Sequence, residues 1–303
     1  MALHCLLVVN MIPFELERVL SNEGLKPSGR LIRQNTAGII RYHVEGDNNA
    51  KANGWIHLFD GGANFGSWAT GQSGTWFEEG AVKLDKNEIQ RRKQVANESI
   101  RSIQNEAANK AKWIIENAKP CHDNNAYLTR KQVKSFGLYV YKDAAVVPIF
   151  NIDGKIRSAQ FINDDGTKTF LGGGEIEGCF FVIGWKSCGV TVICEGYSTG
   201  ATIHQATGLP VIIAFNSGNL PHVAKRIRAK LGKTASIIIA ADNDRELAIR
   251  KPKVGNIGVK KGYEAAMRSR GHLIYPSFNE GEHGSDFNDL GEERTKKIFD
   301  RIV

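Results

Sequence analysis

The residues that first suggest chemistry are three short acidic clusters in the last third of the chain. Glu195 follows the apolar run Val190–Cys194 and precedes Gly196. Asp242 and Asp244 follow the apolar run Ala235–Ala241, and Ser285-Asp286-Phe-Asn-Asp289 comes after His272–Tyr275. These runs alternate with helix-like segments, so they read as strands of a parallel sheet with right-handed crossovers. Ala235–Ala241 is apolar enough to be buried on both faces. In such sheets, sites lie at the carboxyl ends of the strands. Three acidic clusters on one edge repel each other strongly unless a cation sits among them. Oxygen-only donors select Mg²⁺ or Mn²⁺ over zinc. In an extended Asp-x-Asp both carboxylates point the same way and can share one ion. Gly196 lets backbone or phosphate approach Glu195 closely. A lone Asp-x-Asp is weak evidence; a strand-terminal Glu-Gly 47 residues upstream of it makes the combination specific.

The elements that must carry these clusters follow from periodicity. Strands are expected at Val190–Cys194, Pro210–Phe215, Ala235–Ala241 and His272–Tyr275. Helices are expected at Ser198–Thr207, Leu220–Leu231, Asn256–Arg270 and Leu290–Ile302. Upstream, residues 123–189 read as a compact mixed module. It holds strand pairs around Asn151-Ile-Asp-Gly154 and Asp164-Asp-Gly166, and a further strand at Phe180–Ile183. Residues 83–122 read as a helical linker. From Lys86 to Ala118 there is no Gly or Pro, and Ile89, Ile100, Ile103, Ala107, Ala111 and Ile114 form an approximate stripe that Pro120 ends. Residues 1–82 read as a small β-rich module with glycine turns. Its Trp55, Trp68 and Trp76 suit either a small core, the commoner use, or stacking platforms for bases. Residues 190–303 hold the parallel sheet.

Composition narrows the class. The chain has 303 residues, 42% hydrophobic and 24% charged, which excludes wholesale disorder. No apolar run reaches the roughly 18 residues a membrane span needs. Leu3–Val9 lacks a basic leader and reads as a strand or a start-site extension, with Met11 as an alternative start. The five cysteines form no Cys-x-x-Cys pair, which argues against a zinc ribbon and against a disulfide framework. A reducing cytoplasm is the expected compartment. The net charge is +8, and residues 222–261 hold eleven Lys or Arg against three acids. Basic residues around a carboxylate pair suggest a polyanion held beside a metal, although a solubilising surface is the commoner reason for such a segment. Lys251, Lys253, Lys260 and Lys261 are the candidates for nucleic-acid contact. There is no Walker loop.

Cys194-Glu-Gly-Tyr-Ser-Thr-Gly200 with Ala241-Asp-Asn-Asp244 resembles the Toprim domain of bacterial primases, type IA and II topoisomerases and some nucleases. The plasmid and phage primases are the nearest branch. Tyr127-Leu-Thr-Arg130 resembles a motif of the bacterial primase catalytic core. Val147-Pro-Ile-Phe150 with Asp153-Gly-Lys155 resembles the strand pair that follows it. Gln160-Phe-Ile162 with Asp165-Gly166 and Lys168 resembles the plasmid and phage form of the strand that supplies a basic residue. Phe65-Gly-Ser-Trp68 and Thr75-Trp76 resemble their N-terminal module. The likeness covers nearly the whole chain, and its specificity lies mostly in residues 127–290.

The resemblance implies an α/β fold: a Toprim parallel sheet flanked by helices, an α+β primase N-subdomain, and a β-rich module without zinc ligands. It implies a DNA primase that makes RNA primers on single-stranded DNA from nucleoside triphosphates, for plasmid or phage replication. Glu195, Asp242 and Asp244 would be catalytic and hold Mg²⁺ or Mn²⁺, with Asp286 as a further ligand or a group behind the ligands. Two ions would activate the 3′-hydroxyl and stabilise the leaving pyrophosphate, or Glu195 would act as a general base. Arg130 and Lys168, and less strongly Arg157, would meet nucleotide or template phosphates. A separate replicative helicase is the expected partner, with no membrane. The chain departs from the cellular pattern at Thr199, where an acid is expected, in the 286/289 acid spacing, and at Gly172-Gly-Gly-Glu-Ile-Glu177, where a lysine is expected. A Toprim nuclease, or an inactive single-stranded-DNA-binding protein, is the alternative.

Overall fold

A computed structural model describes residues 12–29, 31, 39–47, 52–59, 61–79, 86–184, 189–252 and 254–302, with backbone alone at 86–89, 92, 93 and 96. Leu3–Val9, Met11 and Lys253 lie outside the described residues. The chain forms two compact units, residues 1–91 and 92–303.

The first unit opens with a helix, α1 (Phe14–Asn22), where the sequence leads one to expect only β-rich structure. Leu16 and Leu20 stand one turn apart and are fully buried, while Glu15 and Glu17 complement the dipole of the first turn. A stripe of two leucines is too short to stand out as periodicity. Four strands follow in sheet order: β1 (Ile40–Tyr42), β2 (Gly54–Phe59), β3 (Gly62–Ser67) and β4 (Ser73–Phe77), all antiparallel. Tyr42, Ile56 and Phe65 share a core with α1, and Trp76 packs against it. Trp55 does not: alternation along β2 turns it to the other face of the sheet, where its ring lies 6.0 Å from Trp68.

Helix α2 (Lys86–Glu116) is the expected long helix, and the boundary between the units falls inside it. Among its described side chains, the buried ones lie in its second half. Ala107, Ala111 and Ile114 are buried, while Ile100 is exposed.

The second unit joins two sheets. The first contains β5 (Lys119–Pro120), β6 (Tyr139–Tyr141), β7 (Ala144–Phe150), β8 (Ile156–Ile162) and β9 (Lys168–Phe170), antiparallel and in that order. Helix α3 (Ala126–Lys131) precedes β6, capped by Asn125. Val146 and Ala159 face α2. Ala145, Val147, Ile149 and Ile162 face the other way, into a core shared with the second sheet.

The second sheet contains β10 (Phe181–Ile183), β11 (Val190–Cys194), β12 (Val211–Ile213), β13 (Ser236–Ala240) and β14 (His272–Ile274), in the order β10-β12-β11-β13-β14. The last four strands are parallel, and β10 runs antiparallel to β12. Their helices are α4 (Tyr197–Thr207), α5 (Leu220–Leu231), α6 (Arg245–Arg250), α7 (Ile257–Ser269), α8 (Phe287–Leu290) and α9 (Glu292–Phe299). The expected α/β layer is therefore present, with three differences. The division at residue 189 cuts this sheet, because β10 supplies its edge strand. The expected closing helix Leu290–Ile302 is shorter, α9, and Gly291 at φ +86° separates it from the unforeseen short helix α8. Helix α6, unforeseen, starts directly after Asp244.

Asn219 pins the junction between the two sheets. Its side chain accepts from Gly178 N (2.6 Å) and donates to the carbonyls of Cys179 (2.9 Å) and Ala214 (2.8 Å), and the residue is 4% exposed. An apolar replacement leaves three buried backbone groups unpaired, each costing about 1 kcal/mol or more. Asn219→Ala is therefore expected to lower unfolding free energy by roughly 3 kcal/mol, measured by urea titration of the full chain.

Candidate functional site

Strand pairing explains why acids far apart in sequence meet. Cys194 on β11 stands opposite Ala240 on β13, so Glu195 and Asp242 leave neighbouring strands at the same edge. The backbone N–H of Asn243 donates to Ser285 O (2.6 Å), drawing in the third cluster. Asn256 holds the turn after β13. Its side chain caps α7 through Val259 N, accepts from Asp244 N (3.1 Å) and donates to Asn243 Oδ1 (2.8 Å). Gly258 completes the fit: its N–H donates to Asp244 Oδ2 (2.8 Å), and a Cβ there would stand 2.2 Å from the Asp242 carbonyl oxygen. In sequence, Asn256 and Gly258 signal only the start of a helix. Their use at the acid loop depends on α7 folding back onto it.

The acids are crowded and poorly compensated. Glu195 is 9% exposed. Glu195 Oε1 and Asp242 Oδ1 are buried without a hydrogen-bond partner among the described residues. Burial, then the charges of Asp244 and Asp286, push Glu195 up to about 7. Burial, then the charges of Glu195, Asp286 and Asp244, push Asp242 up to about 9. Among the described residues, no three His, Cys, Asp or Glu side chains converge on one metal-sized point. The reason is local: Asp244 leans on Gly258, and Asp286 caps α8 by accepting from Asp289 N (2.9 Å). Asp289 is drawn aside by Ser285 N (3.0 Å) and by Lys131, 3.5 Å away. Cys194 is fully buried, which pushes its thiol well above its ordinary range and leaves it no nucleophile.

Lys168 reaches this cluster from the other sheet. Its stem runs along the exposed edge strand β9, and its ammonium ends 3.8 Å from where a Cβ on Gly196 would stand. Burial of that end lowers the ammonium pKa, while Asp286 and Asp242 oppose the shift and Lys131 adds to it. Strand β9 is held by Phe170, edge-on to Phe215 at 6.1 Å. Phe215 lies two residues beyond the end of β12 at φ +73°, a left-handed conformation that costs roughly 1 kcal/mol for a non-glycine residue.

The structure separates the other cations. Arg130 donates to the Asp164 carbonyl in the β8–β9 turn and lies against Gly166, so it braces the hairpin that carries Lys168. It contacts no carboxylate of the cluster among the described residues. Arg157 lies away from the acid cluster. It donates to Glu175 (2.7 Å) and to Asn105 of α2 (3.2 Å), on the opposite face of the sheet from Lys168. Lys168 pairs with Ile162, which faces the core shared with the second sheet, whereas Arg157 is the extra residue of an irregularity in the β7–β8 pairing and is held on the α2 side. Lys251 and Lys260 are exposed, at the end of α6 and on α7, and Lys261 pairs with Glu264 at 2.8 Å. Lys131, beside Asp289 and Lys168, escapes a reading of the sequence because adjacency to Arg130 carries no signal of its direction.

The antiparallel module is locked to the parallel layer. Tyr197 Oη accepts from Phe136 N (2.7 Å), and Asn288 donates to Lys131 O (2.7 Å) and Thr202 Oγ1 (2.9 Å). Tyr197 itself is fully buried. These bonds fix α3 and its following loop against α4 and α8.

Residues 190–297 match the family model for the Toprim domain, so the parallel layer is a Toprim domain. Two proteins of Escherichia coli, both named DNA primase TraC, are similar in sequence. One is 39% identical over 141 residues, covering 45% of this chain and 13% of the relative. The other is 30% identical over 227 residues, covering 71% and 16%. The chain thus spans less than a fifth of the length of these curated relatives. Among solved structures, the primase fragment of the bacteriophage T7 primase-helicase protein has 14% identity and a TM-score of 0.44, over 86% of this chain and 99% of that one. The DnaG primase catalytic domain bound to ssDNA has 11% identity and a TM-score of 0.41, over 67% and 81%. No described helix is long and apolar enough to cross a membrane.

The raised carboxylates set a pH dependence of stability. Between their ordinary values and about 7 and about 9, the folded state binds more protons than the unfolded chain. Stability must then fall as pH rises through that range and flatten above it. In EDTA, the melting temperature is expected to drop from pH 5 to pH 9. Asp242→Asn should flatten the drop, read by calorimetry across that range.

Proposed function

We propose that this chain is a DNA primase: an enzyme that makes short RNA primers on single-stranded DNA from nucleoside triphosphates, for plasmid or phage replication. The observation that carries the reading is Lys168. A module outside the Toprim match delivers a cation to Asp242 and Asp286, where an incoming triphosphate would need one. A nuclease sharing the same acids has little use for it.

The acid cluster suits Mg²⁺ or Mn²⁺. Glu195 and Asp242 each hold a buried oxygen with no partner, and only Oδ2 of Asp244 is engaged by Gly258. Glu195, Asp242, Asp244 and Asp286 would hold the ion or ions, which supply charge stabilisation at the reacting phosphoryl group and the attacking 3′-hydroxyl. The chain's own residues do the rest. Glu195, with its raised pKa, can hold or take a proton near neutrality. Lys168 neutralises triphosphate oxygens as a point charge. Arg130 keeps the hairpin beneath Lys168 and offers a guanidinium to template or nucleotide phosphates at its rim. Lys251, Lys253, Lys260 and Lys261 supply sequence-independent attraction for the template. The enzyme would work in a bacterial cytoplasm beside a helicase carried elsewhere.

Incubation with single-stranded DNA, labelled nucleotides and Mg²⁺ or Mn²⁺ should give short oligomers. Asp242→Asn with Asp244→Asn should abolish them with the fold intact by circular dichroism. Lys168→Ala removes a charge-assisted interaction worth about 2 kcal/mol, so synthesis at low nucleotide should fall roughly thirtyfold. Arg157→Gln should leave it intact. DNA cleavage without synthesis would replace this reading with a nuclease.

Salt separates the lysines' role. Changing Lys251, Lys260 and Lys261 to Gln should weaken binding to all single-stranded sequences alike. It should also flatten the slope of log affinity against log salt by about 0.7 for each phosphate no longer neutralised. An unchanged slope would leave them ordinary surface residues.

A further inference from the structure

The outer face of the four-stranded sheet in the first unit has no covering layer among the described residues, and its composition is specific. One face of the sheet carries the core with α1; the other carries the alternate residues of each strand. Register places Arg41, Trp55 and Gly66 in one row, His57, Asn64 and Thr75 in the next, and Phe59, Gly62 and Phe77 in the third. Trp68 adjoins the first row, 47% exposed, with the Arg41 guanidinium 4.5 Å from its ring centre. Phe77 is 65% exposed, and Phe59 lies 5.9 Å from it, edge-on.

The glycines explain how these rings are presented. A Cβ on Gly66 would stand 2.7 Å from the Trp55 ring, and one on Gly62 would stand 2.7 Å from the Phe59 ring. Each ring therefore rests on bare backbone, which fixes it before any ligand arrives. Two aromatic patches result, four residues apart along β2, or about 13 Å at strand rise. A polar row of His57, Asn64 and Thr75 separates them, so this is not the continuous apolar patch that a protein partner would bury. None of the described residues in these rows, or Trp68, is a carboxylate. The described acids of the unit lie on α1, in turns and beyond β4.

We infer that this face binds single-stranded nucleic acid by stacking bases on the Trp55–Trp68 and Phe59–Phe77 patches. Arg41 and His57 would meet the sugar–phosphate chain, and the spacing leaves about one nucleotide across the polar row. Stacking tolerates any base, so the face would tether a strand rather than read it. The inference does not require the acid cluster to be catalytic.

The test uses the full chain in EDTA and a labelled oligothymidylate, read by fluorescence anisotropy over a salt series. Trp68→Ala and Phe77→Ala are each expected to weaken binding about tenfold. The salt slope should stay unchanged, because no phosphate contact is removed. Trp68→Phe should retain most of the affinity. Gel filtration of each variant monitors self-association. Unchanged affinity in both alanine variants would overturn the inference. So would equal affinity for duplex DNA, or a loss of self-association in Trp68→Ala with DNA binding untouched. Primer synthesis is scored separately, so a failure of this face leaves the catalytic reading standing, and the reverse.

Discussion

The structure is organised around a repulsion. Glu195 and Asp242 leave adjacent parallel strands at the same edge, so their carboxylates are forced together in a place that excludes water. The protein does little to relieve this. It engages Asp244 with the Gly258 N–H and Asp286 with a helix cap, but leaves one oxygen each of Glu195 and Asp242 without a partner. Unpaired buried polar atoms are costly, and a fold keeps them where something outside the chain completes them. Much of the surrounding detail keeps this arrangement in place. Asn256 ties the Asp-Asn-Asp turn to α7, the Asn243–Ser285 bond brings in the third cluster, and the fully buried Phe287 anchors the chain directly after Asp286.

The second sheet takes its meaning from that edge. Strand β7 is buried on both faces, which leaves it committed to α2 on one side and the Toprim layer on the other. Tyr197, Asn219 and Asn288 then fasten the two sheets with hydrogen bonds, buried at Asn219 and partly buried at the other two, which demand defined geometry in a way that apolar packing does not. Rigidity matters because Lys168 sits at the end of a short, exposed edge strand. Without the Phe170–Phe215 contact and the Arg130 brace under its turn, its ammonium would have no fixed position relative to the acids. A cation placed this way offsets part of the carboxylate repulsion and remains available to an anionic ligand.

The basic segment has a comparable logic. Asp244 ends the acidic turn, and α6 begins at the next residue, so Arg245, Arg250 and Lys251 follow the acids immediately in space as in sequence. Arg245 is partly used internally, over the Phe278 ring at 4.9 Å, and Lys261 is paired with Glu264. The surplus charge seen in composition is therefore not all available to a polyanion; Arg250, Lys251 and Lys260 are exposed, and Arg250 lines a pocket with Asp244 and Asp289.

The alternation of apolar runs and helical stripes was enough to give the parallel layer, because strands buried on both faces and helices with one apolar side have different periods. The acids were legible for the same reason: a carboxylate directly after a buried strand has to lie at the sheet edge. Other features depended on partners distant in sequence. Phe181–Ile183 looks like any apolar strand, and only its pairing with β12 assigns it to the Toprim sheet. Arg157 and Lys168 look alike as strand cations, and tertiary pairing separates them: Lys168 sits opposite Ile162, while Arg157, at an irregularity in the β7–β8 ladder, is held by Glu175 and Asn105. Trp55 and Trp76 look alike as strand tryptophans, and strand pairing sends one outward and one toward the core. Local sequence carries the period of an element and thus which residues share a face. Which neighbour that face meets depends on strand order and register, which arise only when the whole chain packs.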